Sequence, residues 1–405
     1  MSSTRLAVVC DYPEEGWPSM DLTAEMVLSH LAAEQSERVA ATRVCPPFRH
    51  RLARWPLVKS KGAAKNADRL INRYHDYPKA LGKIARRGEF DLYHLVDHSY
   101  SQLLHVLPRG RTVVTCHDLD TFRCILEPDL EPRPAWFLAF VRRTLDGFRK
   151  ATAVACNSEA TRDAILKYAL IEPSRLHVVY MGRHPECSEH ADPVADAEAA
   201  RLLGPADPSR PPDLLHVGST IPRKRIDVLL DVFAEVRRQV PGARLIRVGG
   251  PLTSSQEEQA RGLGIYDAIL SLPFCSRATL AAVYRRASLV LMPTEAEGFG
   301  LPAAEALACG TTLLASDLPI LHEVAGDAAV YRPVADIPAW TAAAVELLAE
   351  ARSSAPPYLR RRAEGLTFCR RYDWSRHAAQ LVEIYEKVLN EVDADAPASA
   401  PGSRR

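Results

Sequence analysis

Residues 289–310 read LVLMPTEAEGFGLPAAEALACG, and this stretch decides the fold of the half of the chain that contains it. Its first four residues, 289–292, are all apolar, as expected for a strand that is buried on both faces. Residues 302–309 predict a helix, because Pro302 suits the first helical position and Gly310 suits the position after the last turn. A buried strand that passes through a glycine loop into a helix is the repeating unit of a doubly wound α/β sheet.

The loop between this strand and this helix has the composition of a binding site. Gly298 and Gly300 let the backbone approach a ligand closely, and the amides of Gly300 and Leu301 would favour an anion at the start of a helix. Glu297 precedes these amides, and Glu305 is expected in the first turn of the helix. A carboxylate beside an anion site suits the hydroxyl groups of a ribose or a sugar. For either glutamate alone, the alternative is a residue that only stabilises the start of the helix.

The same alternation of strands and helices extends outward over the whole chain. Strands are predicted at residues 6–10, 39–44, 92–96, 112–116, 153–156, 176–180, 214–217, 243–248, 269–272, 289–292, 312–315 and 329–331. Helices are predicted between them, at 21–34, 135–149, 226–239, 277–286, 302–309 and 376–392 among others. From 182 to 212 the chain is acidic, rich in Ala and Pro and weakly periodic, which indicates a domain boundary.

Composition limits the class of protein. A chain of 405 residues is longer than one hydrophobic core usually supports, so two or three domains are expected. Its 51 basic and 50 acidic residues give a net charge of +1, which argues against a nucleic-acid-binding protein. Nine cysteines, never spaced CxxC, favour a reducing, cytoplasmic compartment over a disulfide framework or a zinc site. No apolar run approaches the roughly 18 residues that a membrane span needs.

A second strand–glycine–loop element lies at residues 214–225, LLHVGSTIPRKR. A predicted strand runs into Gly218, and Arg223 and Lys224 follow in the loop. Cations placed just beyond a buried strand suit an anionic ligand, whereas a solvated surface pair is the ordinary alternative.

The two elements together resemble a known enzyme family. Glu297 and Glu305, with seven residues between them that include GFGLP, resemble the E-x7-E signature of the retaining, nucleotide-sugar-dependent glycosyltransferases of family 4, the group 1 glycosyl transferases. Lys224 falls on the lysine of that family. The arginine that often follows the glycine is replaced by Ser219, and Arg223 is expected to supply the missing charge.

The resemblance implies an α/β protein of the GT-B fold, with two Rossmann-like, doubly wound domains that face a central cleft. The expected organisation is an N-terminal acceptor domain at 1–185, a linker at 186–212, a C-terminal donor domain at 213–371, a helix at 372–392 that crosses back to the N-terminal domain, and a disordered tail at 393–405.

The resemblance also implies which residues act. Glu297 would stabilise charge at the anomeric carbon, Arg223 and Lys224 would lie beside the leaving diphosphate, and His117 would contact the transferred sugar from the first domain. The donor-binding residues would be Gly16, Gly218, Ser219, Arg223, Lys224, Phe274, Glu297, Gly298, Phe299, Gly300, Leu301 and Glu305. The expected scheme uses no metal and no cofactor.

The first domain matches the family less tightly. Residues 115–118, TCHD, end a predicted strand, and a histidine that is merely satisfied at a strand end is the alternative for His117. Gly16 is the one glycine left in a loop that is commonly glycine-rich in the family. His94 and Asp97 have the chemistry of metal ligands, but they are expected on opposite faces of a strand, so no metal site is expected there.

The expected activity is transfer of a sugar, with retention of configuration, from a nucleoside diphosphate sugar (a UDP- or GDP-sugar) to a hydroxyl acceptor. Glycans, glycolipids and small-molecule glycosides are the expected products, and a lipid-linked acceptor is one form. Two alternatives remain open: a nucleotide-sugar epimerase or hydrolase of the same architecture, and a catalytically silent sugar-nucleotide-binding scaffold protein.

Residues 49–73 form a basic segment within this nearly neutral chain. It contains Arg49, Arg51, Arg54, Lys59, Lys61, Lys65, Arg69 and Arg73 against a single acid, Asp68, with Trp55, Leu57 and Val58 among them. Basic and aromatic residues together suit an anionic membrane surface, so a peripheral location at the inner face of the membrane is one expectation. A solvated helix or a flexible acceptor loop would have the same composition.

Overall fold

The computed structural model describes residues 3–53, 61–205, 207 and 209–395, which divide into two compact units. Unit 1 runs to Met181 and takes up the chain again from Trp374, and unit 2 is Gly182–Asp373. Each unit has its own parallel sheet and its own hydrophobic core.

Unit 1 contains a parallel sheet of six described strands between helices. Its elements are β1 (Thr4–Val9), α1 (Pro18–Glu34), β2 (Val39–Val44), α2 (Lys61–Ile71), α3 (Tyr77–Arg87), β3 (Leu92–Leu95), β4 (Thr112–Cys116), α4 (Arg123–Leu126), α5 (Ala135–Phe148), β5 (Ala153–Cys156), α6 (Glu159–Lys167) and β6 (Leu176–Val178). The strand order is β2-β1-β3-β4-β5-β6. Strands β3, β4 and β5 are buried along their whole length, as a parallel sheet covered on both faces requires.

Unit 2 repeats this design. Its elements are α7 (Pro193–Leu203), β7 (Asp213–Val217), α8 (Ile226–Gln239), β8 (Arg244–Val248), α9 (Ser254–Gly262), β9 (Ile269–Leu272), α10 (Arg277–Arg286), β10 (Leu289–Met292), α11 (Leu301–Ala308), β11 (Leu313–Ser316), α12 (Pro319–Ala325), β12 (Ala329–Arg332), α13 (Ile337–Ser353) and α14 (Pro356–Phe368). The strand order β12-β11-β10-β7-β8-β9 makes β7 and β10 neighbours, although much of the unit separates them in sequence. The loops after these two strands therefore leave the same edge of the sheet.

The last helix, α15 (Trp374–Asp395), belongs to unit 1 and packs against α1. Its Tyr385 hydroxyl lies 2.7 Å from His94 Nδ1, and Glu386 forms an ion pair with Arg38. The helix continues three residues past the predicted end at 392, and the rest of the predicted disordered tail, 396–405, lies outside the described residues. Among the helices that the structure describes, none is both long and apolar enough to cross a bilayer.

The stretch predicted as a linker, 186–212, is partly helical. Helix α7 lies within it, because Asp192 caps the amides of Val194 and Ala195 and a proline follows the cap. Arg285 of α10 donates to Asp196 at 2.5 Å, so this stretch is tied into unit 2.

Candidate functional site

The glycine loop after β10 leads into α11 in the predicted way, with a shift of one residue. Helix α11 begins at Leu301, so Pro302 occupies its second position and not its first. Gly300 caps it with φ of +88°, a backbone conformation that favours glycine. The first amides of a helix have no carbonyl partner within it and carry the positive end of its dipole, so the start of α11 suits an anion.

The loops after β7 and β10 are bonded to each other. The carbonyl oxygen of Arg223 accepts hydrogen bonds from the amide of Glu295 and the hydroxyl of Thr294, both at 2.9 Å. Arg223 Nη1 in turn donates to the carbonyl of Ala296 at 2.9 Å. These bonds fix the cation-bearing loop beside the glycine loop.

Two cations and one carboxylate meet where these loops join. Lys224 Nζ lies 2.5 Å from Glu297 Oε1, and Arg223 Nη1 lies 3.6 Å from Glu297 Oε2. All three side chains are largely buried, so their charges are screened less than surface charges would be. The structure thus brings together three residues that the sequence placed in one site, and their summed charge is positive.

Glu305 lies deeper in unit 2. It is the fifth residue of α11 and therefore falls in the second turn, not in the first turn as expected. Its Oε2 accepts a hydrogen bond from the hydroxyl of Tyr284 at 3.0 Å, and Arg277 Nη1 lies 3.8 Å from its Oε1. Burial raises the pKa of Glu305, while Arg277 and the Tyr284 hydroxyl oppose that rise.

The other predicted donor-binding residues of unit 2 have mixed surroundings. Gly298 and Phe299 are buried, and the Phe299 ring packs edge-on against Tyr372 at 5.2 Å. Ser219 is exposed on the loop after Gly218. Phe274, predicted near a nucleobase, is 80% exposed in the loop after β9.

In unit 1, the predicted residue His117 follows β4 and is buried. Its Nε2 lies 2.7 Å from the carbonyl of Val96, so Nε2 carries the proton, and its Nδ1 has no hydrogen-bond partner among the described residues. Burial lowers the pKa of His117, although Asp97 opposes that effect. The ring is therefore neutral at pH 7 and offers a hydrogen-bond acceptor.

A buried pair of carboxyl groups lies near His117, and sequence reasoning missed half of it. Asp11 follows β1 and Asp97 follows β3, and these strands are neighbours. Burial, followed by the charge of Asp97, raises the pKa of Asp11 well above its usual range. Burial alone would raise the pKa of Asp97, but His98 and a hydrogen bond from Asp11 hold it well below its usual range. The pKa values of the two carboxyl groups are therefore shifted in opposite directions, that of Asp11 upward and that of Asp97 downward. Asp11 could have been proposed as a site residue from the sequence, because it comes directly after a predicted strand.

We predict that Asp11→Asn makes the protein more stable at neutral and alkaline pH. Because the pKa of Asp11 is raised in the folded state, its contribution to stability is complete below the unfolded pKa and is lost as the pH rises through the folded pKa. An asparagine has nearly the same size and shape but has no titrating proton to lose. Melting temperatures measured from pH 4 to pH 8 should show an advantage of the variant that grows with pH. An advantage that does not change with pH would contradict the raised pKa of Asp11.

Gly16 ends a short turn, and Glu15 in that turn forms ion pairs with two arginines of the basic segment. Glu15 Oε2 lies 3.4 Å from Arg69 Nη2 and 3.3 Å from Arg73 Nη1. Arg73 also donates to the carbonyl of Ser99 and lies over the Tyr100 ring, 4.2 Å from its centre. Arg73 is therefore largely buried in unit 1 and is engaged by internal contacts.

The rest of the basic segment divides between internal contacts and solvent. Asp68, its single acid, accepts from the backbone amides of Arg51, Leu52 and Ala53, while Arg51 pairs with Asp76. Residues 54–60, which include Arg54, Trp55, Leu57, Val58 and Lys59, lie outside the described residues. Helix α3 extends the basic surface beyond the predicted segment, with exposed Lys79, Lys83, Arg86 and Arg87.

His94 is a structural residue. Its Nε2 lies 2.8 Å from the Thr115 hydroxyl, and its Nδ1 lies 2.7 Å from the Tyr385 hydroxyl. Asp97 instead faces Asp11 and accepts from the amide of Ser99, so the two do not share a site.

Two family models match the chain, one in each half. The family model described as "Glycosyl transferases group 1" matches residues 205–355, and the model described as "Glycosyltransferase Family 4" matches residues 24–186. Among curated proteins, the chain is 32% identical over 245 residues to a D-inositol 3-phosphate glycosyltransferase of Segniliparus rotundus, covering 58% of this chain and 52% of that protein. It is 31% identical over 253 residues to one of Streptomyces bingchenggensis, covering 59% and 53%. The chain thus spans about half the length of the curated relatives it matches.

Solved structures show the same fold at low sequence identity. A sucrose-phosphate synthase from Thermosynechococcus elongatus superposes with a TM-score of 0.71 at 19% identity, over 96% of this chain and all of that one. WaaG, a glycosyltransferase of lipopolysaccharide biosynthesis, superposes with a TM-score of 0.67 at 16% identity, over 94% and 99%. Anabaena Alr3699/HepE, solved in complex with UDP-glucose, gives 0.66 at 16% identity, over 96% and 100%. These similarities confirm the GT-B fold class predicted from the sequence.

Proposed function

Since this chain belongs to the group 1 glycosyl transferases of GT-B fold, we propose that it moves a sugar from a nucleoside diphosphate sugar to a hydroxyl acceptor with retention of configuration. The observation that carries the proposal is the meeting of Lys224, Arg223 and Glu297 beside the start of α11. Two cations and a helix N-terminus suit a diphosphate, and the carboxylate between them suits sugar hydroxyls.

In the proposed reaction, the bond between the anomeric carbon and the diphosphate oxygen breaks while the acceptor oxygen attacks from the same face. Lys224, Arg223 and the amides at Gly300 and Leu301 stabilise the negative charge that develops on the leaving diphosphate. Glu297 stabilises the positive charge at the anomeric carbon. The departing phosphate oxygen takes the proton of the acceptor hydroxyl, so this scheme needs no nucleophile from the protein and no metal.

The remaining predicted residues have supporting roles in this proposal. Glu305 holds ribose hydroxyls, Phe274 and its loop hold the nucleobase, and the neutral ring of His117 accepts a hydrogen bond from a sugar hydroxyl. The donor is a UDP- or GDP-sugar. The curated relatives are named for D-inositol 3-phosphate, so we include polyol acceptors together with glycans and lipid-linked sugars.

A screen of nucleotide sugars tests this function directly. Thermal shifts with UDP- and GDP-sugars identify the donor, and mass analysis of products with candidate hydroxyl acceptors identifies transfer. The anomeric configuration of the product, measured by NMR coupling constants, tests retention. Turnover of the donor to free sugar alone, with every acceptor tried, would instead favour a hydrolase.

We also propose a peripheral contact of unit 1 with an anionic membrane surface at its cytoplasmic side, through the exposed cations of α2 and α3. Lys65, Lys79 and Lys83 are exposed along these helices, and basic residues near an anionic surface contribute about 1 kcal/mol each. Because Arg69 and Arg73 are engaged with Glu15, the surface depends on α3 more than the sequence implied.

We predict that Lys79→Gln with Lys83→Gln weakens binding to vesicles that contain anionic lipid by roughly 30-fold, since about 2 kcal/mol is lost. Co-sedimentation with vesicles of phosphatidylglycerol and phosphatidylcholine measures this. The matched control, Arg237→Gln with Arg238→Gln on α8, removes the same charge from unit 2 and should bind as the wild type does. Equal binding of the wild type to purely zwitterionic vesicles would contradict the electrostatic contact.

A further inference from the structure

Arg247 is a charged residue in the interior of a buried strand. It lies on β8 with no exposed surface, and in the parallel register it sits beside His216 of β7. Neither residue belongs to the site formed by Lys224, Arg223 and Glu297. Charged side chains are rarely fully buried unless they are paired, so this one requires an explanation.

The guanidinium of Arg247 has only neutral partners. Its Nη1 lies 3.3 Å from His216 Nδ1, and its Nη2 donates to the carbonyl oxygens of Gly218 at 3.4 Å and Gly250 at 3.3 Å. Among the described residues, no carboxylate forms an ion pair with it.

The charge persists at neutral pH in spite of this burial. Desolvation lowers the pKa of Arg247 to about 10, so the group remains protonated. The pKa of His216 is held well below its usual range by burial and then by the charges of Arg247 and Lys224. His216 is therefore neutral and accepts from Arg247. A buried charge without a counter-ion destabilises a fold, and a bound ligand of opposite charge would relieve that cost.

The position of Arg247 identifies that ligand. Gly218 begins the loop that carries Lys224, and a side chain carbon at Gly218 would lie 3.7 Å from Lys224 Cδ. The same glycine presents its carbonyl to Arg247. Arg247 therefore lies directly behind the loop on which the proposed diphosphate site is built.

We propose that Arg247 is an electrostatic positioning residue for the diphosphate of the donor, and that it supplies from behind the Gly218 loop the charge that Ser219 does not carry. Arg223, which the sequence favoured for this task, is already bonded to the carbonyl of Ala296 and close to Glu297. Arg247 also donates to the carbonyls of Gly218 and Gly250, so it links the backbone of the two loops that follow β7 and β8. The inference rests on the proposed function, because it assumes a nucleoside diphosphate in unit 2.

Calorimetry with UDP, GDP, inorganic pyrophosphate and the uncharged nucleosides uridine and guanosine tests the proposal. We expect Arg247→Met to bind the better nucleoside diphosphate, and pyrophosphate, at least tenfold more weakly, and to bind the matching nucleoside within twofold of the wild type. The ligand-free variant should melt no lower than the wild type, because it loses an uncompensated charge. Adding Ser219→Arg to this variant should restore affinity for the diphosphate.

The control is Arg244→Met on the same strand, which breaks an ion pair with Asp213 at 2.7 Å. It should lower the melting temperature and leave diphosphate affinity unchanged. If Arg247→Met does not fold, Arg247→Gln and Arg247→Lys carry the test, with only the lysine variant retaining affinity. Equal loss of nucleoside and diphosphate binding, or no loss of either, overturns the proposal. A wild type that binds none of the probes overturns the proposed function and this inference with it.

Discussion

Lys224→Ala should lower kcat/KM for sugar transfer by about 10²–10³-fold, and Glu297→Gln should lower it by a similar factor. Lys224 lies 2.5 Å from Glu297, and we propose that the lysine stabilises the leaving diphosphate while the glutamate stabilises the anomeric carbon. Both charges develop in the transition state, so kcat should fall more than donor affinity. Initial rates with the donor identified by the screen give both constants.

The matched controls remove the same charges elsewhere. Lys387→Ala on α15 and Glu258→Gln on α9 alter exposed residues, and both should leave transfer within twofold of the wild type. All four variants should melt within a few degrees of the wild type. Unchanged transfer in Lys224→Ala and Glu297→Gln would show that chemistry takes place at other residues.

How far the sequence predicts this site depends on whether its residues follow strands. Arg223, Lys224 and Glu297 come directly after β7 and β10, and the carboxyl ends of neighbouring parallel strands meet at one edge of a sheet. Two local motifs therefore indicated one site. The adjacency of β7 and β10 itself was available only through the family resemblance, because periodicity does not determine strand order.

Residues whose partners are distant in sequence could not be predicted in this way. Arg73 appeared to belong to a basic surface segment, yet its side chain is only 16% exposed, because it packs against Glu15 and Tyr100. Two partners of Arg247, namely His216 and Gly218, belong to β7 and the loop that follows it. A run of charged residues in the sequence shows only the local composition. Whether one of these charged side chains is buried depends on which distant groups pair with it in the fold.

The stretch from 182 to 212 shows a different limit. Its weak periodicity indicated a linker, but Asp192 and the proline after it begin a helix that needs no strong apolar stripe. The helix is held by its cap and by Asp196, which pairs with Arg285. Helix caps of this kind can be recognised in the sequence, so this helix could have been predicted from its local residues.

We expect Glu305→Gln to raise the KM for the donor by about 10–100-fold with a smaller change in kcat, since a hydrogen bond to a charged group contributes about 1.5–3 kcal/mol. The glutamine still accepts from the Tyr284 hydroxyl, so the fold should be preserved. Tyr284→Phe is the matched variant, and it should weaken donor binding less because Tyr284 only positions the carboxylate.

The test that separates ribose recognition from a structural role uses deoxynucleotides. If Glu305 holds ribose hydroxyls, the wild type and Glu305→Gln should bind the 2′,3′-dideoxy form of the nucleoside diphosphate equally, and both should bind pyrophosphate equally. Burial raises the pKa of Glu305. Donor binding by the wild type should therefore weaken as the pH falls through this raised pKa, because the carboxylate becomes protonated. Glu305→Gln should not show this loss. An equal loss of affinity for the normal and dideoxy nucleotides would instead mean that Glu305 maintains the packing of Tyr284 and Arg277, because a group that contacts no hydroxyl cannot distinguish the two ligands.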